Sequence, residues 1–82
     1  MTEWLSSDYM TFTARLPSPR GGFWRLSVEQ LPGNGGWDWV VWQTGYLDSR
    51  NGQADTLWRA KTDALQAAQA LISAAVPLAS TG

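Results

Sequence analysis

Hydrophobic and polar residues alternate along the N-terminal part of the chain, as they do in strands that bury one side. Every second residue of Tyr9–Leu16 is apolar, beginning with Met10. Prolines and glycines fill Pro17–Gly22, which indicates a turn because proline lacks an N–H donor and glycine tolerates positive φ. The alternation returns over residues 23–31. Two half-buried antiparallel strands are therefore predicted.

A glycine-rich turn at Pro32–Gly36 leads to a third predicted strand, which starts at Trp37 and extends as far as Leu47. Unlike the first two strands, this one is apolar on both sides. A strand of that kind is usually central in its sheet and covered on both faces. Its apolar residues are Trp37, Trp39 and Val41 on one side and Val40, Trp42 and Tyr46 on the other.

The rest of the chain predicts one more strand and one helix. Asp48–Gly52 is expected to form a turn with residues 51–52 at its tip, and a fourth strand covers about Gln53–Ala60. Thr62 is a favourable N-cap for an alanine-rich helix over residues 62–76, which a proline ends. The predicted fold is α+β, a four-stranded antiparallel β-meander followed by one C-terminal helix packed on one face (ββββα).

The size of the chain limits how much of the sheet is covered. With 82 residues there is room for one small domain. A helix of about 14 residues is on the order of 21 Å long, which covers one face of a small sheet and no more. Its alanines permit close packing on bulky sheet residues. The predicted organisation is one domain over residues 1–82, with an N-terminal segment (1–8), the sheet (9–61), the helix (62–76) and a loose tail (77–82).

The sheet face opposite the helix is the candidate site. Aromatic, apolar and arginine side chains of the second and third strands are expected to meet there, and exposed patches of this kind often mark interfaces. Two simpler explanations remain open. The N-terminal segment, through Trp4 and Leu5, folds over this face, or codon usage explains the many arginines. The candidate partner interface is Phe23, Arg25, Val40, Trp42 and Tyr46.

Composition excludes several chemistries. The chain has no Cys and no His, so disulfides, thiol chemistry, imidazole-bound metals and His-based acid–base catalysis are excluded. We expect no cofactor, no metal and no enzymatic activity. The formal net charge of −1 argues against broad electrostatic binding to nucleic acid or acidic lipid.

The N-terminus has no positively charged start followed by an apolar run, so no signal peptide is predicted. The longest stretch of helix-forming sequence contains Lys61, Asp63, Gln66 and Gln69, so no membrane span is predicted. Together with the absence of Cys, this predicts a cytoplasmic protein.

The strands followed by Lys61–Leu71 resemble the final strands and C-terminal helix of double-stranded-RNA-binding domains, over about half of the chain. In that family, a lysine cluster at the start of this helix contacts phosphates. Here only Lys61 matches, Asp63 lies in the same turn, and too few residues precede Tyr9 for the family's first helix. The functional residues of the family are therefore not carried over.

Two functions are consistent with the sequence. The first is a small non-enzymatic interaction module that binds itself or another protein through the aromatic sheet face, and an accessory or phage- or mobile-element-encoded inhibitor would be a special case. The alternative is a nucleic-acid-binding domain that uses sheet aromatics and arginine.

Overall fold

The computed structural model describes residues 4–8, 10–19, 21–33, 35–46 and 48–74. They form one antiparallel sheet with its strands in sequence order, followed by one helix, so the predicted α+β class and the meander with a C-terminal helix are confirmed. The sheet has five strands, one more than predicted. The elements are β1 (Leu5–Asp8), β2 (Thr11–Pro17), β3 (Phe23–Gln30), β4 (Trp37–Trp42), β5 (Arg50–Ala54) and α1 (Leu57–Ala74).

The additional strand, β1, comes from the segment that was predicted to precede the sheet. It pairs antiparallel with β2, where Leu5 lies opposite Thr13, and its register shifts between Ser6 and Asp8. With so few residues and an interrupted alternation, β1 has no detectable period of two. The predicted start of the next strand, Tyr9, lies outside the described residues.

The middle of the sheet is β3, not the strand that is apolar on both sides. Leu26 of β3 lies opposite Ala14 of β2 and Val41 of β4. β4 lies beside the edge strand β5, and it ends at Trp42. The prediction that this strand is central and covered on both faces is therefore wrong, and its predicted end, Leu47, lies outside the described residues.

The predicted turn at Asp48–Gly52 is also wrong, because Asn51 and Gly52 lie inside β5. Gly52 pairs with Trp39 of β4. A Cβ atom added to Gly52 would lie 2.7 Å from Cζ2 of Trp39, so this glycine makes room for the indole ring. The chain reverses earlier, where the N–H of Tyr46 donates to the carbonyl oxygen of Gln43 at 3.2 Å.

The helix begins before the predicted N-cap. The Oγ1 atom of Thr56 accepts a hydrogen bond from the N–H of Arg59 at 3.1 Å, which makes Thr56 the N-cap. Thr62 lies inside α1, where its hydroxyl donates to the carbonyl oxygen of Trp58 at 2.9 Å. The predicted fourth strand over Gln53–Ala60 is therefore wrong at both limits, because β5 covers Arg50–Ala54 and residues 57–60 belong to α1.

The core lies between α1 and one face of the sheet. Small residues on the helix meet large residues on the sheet: Ala60, Ala64 and Ala68 are 0% exposed, and Trp24 is 1% exposed. The predicted packing of small helix residues on large sheet residues is present. The helix end predicted at residue 76 and the tail 77–82 lie outside the described residues. Within the described ranges, no helix combines the length and apolar character needed to cross a membrane.

Candidate interaction surface

The sheet has two different faces, because successive side chains of a strand point to opposite sides. One face packs against α1. We call the other the open face, because no described element packs on it. Its principal residues are Arg15 on β2, Phe23, Arg25 and Glu29 on β3, and Asp38, Val40 and Trp42 on β4, according to the strand registers.

Four of the five predicted interface residues lie on the open face. Phe23 is 45% exposed and Trp42 is 38% exposed. Arg25 is exposed and lies directly opposite Trp42, while Val40 is half-buried. The strands thus bring these residues onto one rigid surface, since each side chain is fixed by a backbone paired with its neighbours.

Tyr46, the fifth predicted residue, is on the other side of the sheet. Its ring centroid lies 4.8 Å from that of Trp24, at an interplanar angle of 56°. Trp24 belongs to the core beneath α1. The strand ends at Trp42, so the alternation that placed Tyr46 with Val40 does not continue into the loop. The prediction that Tyr46 shares the face of Trp42 is therefore wrong.

The described part of the N-terminal segment does not cover the open face. Residues 5–8 extend the sheet at its edge, and Leu5 is 61% exposed. Trp4 packs against the core on the helix side, where the Lys61 ammonium lies 5.4 Å from its ring centroid. For residues 4–8, the prediction that this segment folds over the aromatic patch is wrong.

Charges on the open face are separated into two rows across the sheet. Arg15 lies directly opposite Arg25, and Glu29 lies directly opposite Asp38. Like charges at opposed positions destabilise a sheet. Within the described ranges, the one ion pair, Arg59 with Asp63 at 3.3 Å, lies on α1 and involves none of the four.

The basic row also carries the exposed aromatic side chains. The guanidinium carbon of Arg15 lies 4.8 Å from the ring centroid of Phe23, a cation–π contact. A depression of about 1080 Å³ is lined by residues from both sides of the sheet, which include Arg15, Phe23, Arg25 and Trp42 of the open face, Ala14 and Leu26 of the core, and Gln69 of α1. This end of the open face therefore combines exposed aromatic rings with guanidinium groups, which are residue types enriched at interface centres.

The Lys61 side chain packs against two aromatic rings. Its ammonium lies 4.5 Å from the ring centroid of Phe12 and 5.4 Å from that of Trp4. Lys61 is half-buried and links α1 to β2 and the N-terminal segment. In addition, the described residues before β2 form a strand, where double-stranded-RNA-binding domains have a helix.

No cluster of metal-binding side chains accompanies the open face in the described ranges. Those residues contain no group of three or more His, Cys, Asp or Glu side chains placed to hold a metal ion. The side chains that the open face presents are aromatic rings, guanidinium groups and carboxylates.

No family model, curated protein or solved structure matches the chain. The function is therefore inferred from the open face itself. The predicted interface omits four residues of this face: Leu5, Arg15, Glu29 and Asp38. Leu5 belongs to a strand too short to show a period, and Glu29 and Asp38 become neighbours only through the β3–β4 register, which follows from the length of the turn at Pro32–Gly36.

Proposed function

We propose that this protein is a small, non-enzymatic, cytoplasmic interaction module that binds itself or another protein through its open face. The observation that supports the proposal is that, among the described elements, α1 covers one side of the sheet and no element covers the other. The uncovered side exposes Phe23 and Trp42 next to Arg25. Trp, Phe and Arg are enriched at interface centres. Truncation of an interfacial Trp or Arg to alanine often causes the largest losses of binding free energy.

The open face is also suited to binding because it is built on paired strands. Its residues lie on β2, β3 and β4, each hydrogen-bonded on both sides to a neighbouring strand. Side chains on such a framework lose less conformational freedom on association than side chains on loops. A partner would thus meet a preformed surface.

The alternative of nucleic-acid binding has one observation in its favour, the Arg15–Arg25 pair beside Phe23 and Trp42. Aromatic rings with adjacent arginines can stack exposed bases. Glu29 and Asp38 oppose it, because the same face would bring two carboxylates towards the phosphates. Titration with single- and double-stranded oligonucleotides at low salt separates the two functions: the protein-binding proposal expects unchanged tryptophan fluorescence, whereas quenching favours the alternative.

Site-specific photo-cross-linking in the cells that naturally produce the protein tests the proposal. A benzoylphenylalanine is placed at Phe23 on the open face, or at Trp58, which is 73% exposed on α1 and serves as the matched control. We expect a discrete adduct from position 23 and little from position 58. The mass of the adduct shows whether the partner is another copy or a different protein.

The second variant in this test is Trp42→Ala, combined with the photoreactive group at position 23. Loss of the Trp42 ring is expected to reduce the adduct strongly while the far-UV spectrum stays that of the folded chain. No adduct at position 23, or equal adducts at positions 23 and 58, contradicts the proposal.

A further inference from the structure

We infer that the partner of the open face is a second copy of this chain, packed face to face across a two-fold axis. The inference rests on the proposed function and deepens it by naming the partner. The observation that supports the inference is the distribution of charge on the open face.

The two charged rows lie on either side of an uncharged row. Arg15 and Arg25 form the basic row, and Glu29 and Asp38 form the acidic row. Arg25 and Glu29 are four residues apart on β3, which corresponds to about 13 Å along a strand. This separation is too large for direct pairing within one chain. The row between them contains Thr13, Ser27 and Val40.

A two-fold axis through the uncharged row makes this pattern complementary to itself. The axis lies between the two sheets and runs perpendicular to the strands, so it reverses the strand direction of the second copy. Arg25 of each copy then faces Glu29 of the other, and Trp42 of each faces Asp38 of the other. Each contact occurs twice, as in any isologous interface.

The same arrangement explains why the sheet tolerates two like-charged cross-strand pairs. In a single chain, Arg15 opposes Arg25 and Glu29 opposes Asp38 without a compensating ion pair among the described residues. In the dimer, Arg25 of the basic row lies against Glu29 of the acidic row of the other copy, and Asp38 lies against the ring of Trp42. A uniformly acidic or uniformly basic partner would relieve one row and repel the other.

The dimensions of the face indicate a weak dimer. Strands about 4.8 Å apart with a rise of about 3.3 Å per residue give a five-stranded face on the order of 20 by 20 Å. Pairing two such faces buries on the order of 1,000 Å² in total, the lower end for specific interfaces. We therefore expect dissociation in the micromolar range, with reversible exchange between monomer and dimer.

Reciprocal charge reversal with sedimentation velocity tests the inference. The variants are Arg25→Glu and Glu29→Arg, each alone and then mixed in equal amounts, with Trp58→Ala as a control outside the open face. In each single variant, two like charges meet across the two-fold axis, so we expect dimerisation to weaken on the order of tenfold or more. In the mixture, every Arg–Glu contact is restored between unlike chains, and a heterodimer of near wild-type affinity is expected.

Both single variants are expected to remain folded, so their dimerisation can be measured. The carboxylate introduced at position 25 lies opposite Arg15, and the guanidinium introduced at position 29 lies opposite Asp38. Each change thus replaces a like-charged pair by an opposite-charged pair within the sheet. We expect the thermal unfolding midpoint of each monomer to be equal to or above that of the wild type, so a loss of dimer is not caused by unfolding.

Three results overturn the inference: a wild-type chain that stays monomeric at the highest attainable concentration, single variants that dimerise like the wild type, or a mixture that fails to associate. Photo-cross-linking at Phe23 separates this failure from failure of the proposed function. A monomeric chain that cross-links a different protein refutes the second copy and leaves the interaction module. A monomeric chain without an adduct refutes both.

Discussion

At the residue scale, Trp39 and Gly52 depend on each other across β4 and β5. The indole ring occupies the space where a side chain at position 52 would lie. Gly52 does not have a positive φ. The fold therefore requires glycine here because it has no side chain, and not because its backbone is flexible. For this reason Asn51–Gly52, a pair typical of turns, lies inside a strand.

The substitution Gly52→Ala tests this packing. An alanine that fits its site stabilises a protein by about 0.4–1 kcal/mol relative to glycine. Here the added Cβ would lie 2.7 Å from Trp39 Cζ2, so we expect a net loss of about 1–3 kcal/mol from overpacking. Urea unfolding measures the difference. The control Asn51→Ala on the exposed neighbour should change stability little, and a stabilised Gly52→Ala variant would refute the packing argument.

Residue placement on the open face was predictable wherever a strand was identified. Alternation within a strand assigns each side chain to a side, and this placed Phe23, Arg25, Val40 and Trp42 together. Tyr46 was misplaced because the same alternation was extended past the end of β4. Its packing on Trp24 depends on the path of the loop, which a period of two does not describe.

At the element scale, α1 approaches the sheet closely because its contact stripe is alanine. Ala60, Ala64 and Ala68 repeat every fourth residue and are 0% exposed. A larger side chain in the stripe must push the helix away from the sheet or adopt a strained rotamer. The close contact therefore depends on the small size of these residues, while the large side chains of the sheet fill the core.

The substitution Ala64→Leu tests the stripe, with Ala70→Leu on the exposed side of the same helix as its matched control. Both changes alter helix propensity equally. We expect Ala64→Leu to destabilise the domain by about 1–3 kcal/mol and Ala70→Leu to leave it nearly unchanged, as measured by thermal unfolding. Equal effects of the two substitutions would show that α1 does not pack through this stripe.

The start of α1 gives a second test at this scale. Thr56→Ala removes the side-chain acceptor for the N–H of Arg59 and is expected to cost about 1 kcal/mol. Thr62→Ala, inside the helix, is expected to be neutral or slightly stabilising, because alanine is the better helix former. Circular dichroism during urea unfolding compares the two variants. A larger loss for Thr62→Ala would place the N-cap at residue 62 instead.

Periodicity predicted whether most segments form a helix or a strand, but it predicted less well where each element begins and ends. Residues 56–60 were predicted to continue the fourth strand, but Ala60 begins the four-residue repeat of the helix, and packing against the sheet favours the helix. β1 was missed because a four-residue strand with a register shift carries no clear period. In both places, tertiary contacts outweigh local propensity.

At the scale of the whole molecule, the described residues form one helix and five strands, which make a two-layer structure covered on one side. Length alone predicts this imbalance, since a single helix covers one face of a sheet. The separation of Arg15 and Arg25 from Glu29 and Asp38 was not predictable, because it depends on the register between three strands. That register turns a mixed set of charges into an ordered pattern.

Hydroxyl-radical footprinting of the three tryptophans Trp24, Trp42 and Trp58 over a series of protein concentrations tests the open face most directly. In dilute solution we expect Trp42 and Trp58 to be oxidised and the buried Trp24 to be protected. As concentration rises, Trp42 should become protected while Trp58 stays reactive. Protection of Trp42 at the lowest concentration would mean that the monomer already covers the face, and constant reactivity of Trp42 at every concentration would contradict self-association through it.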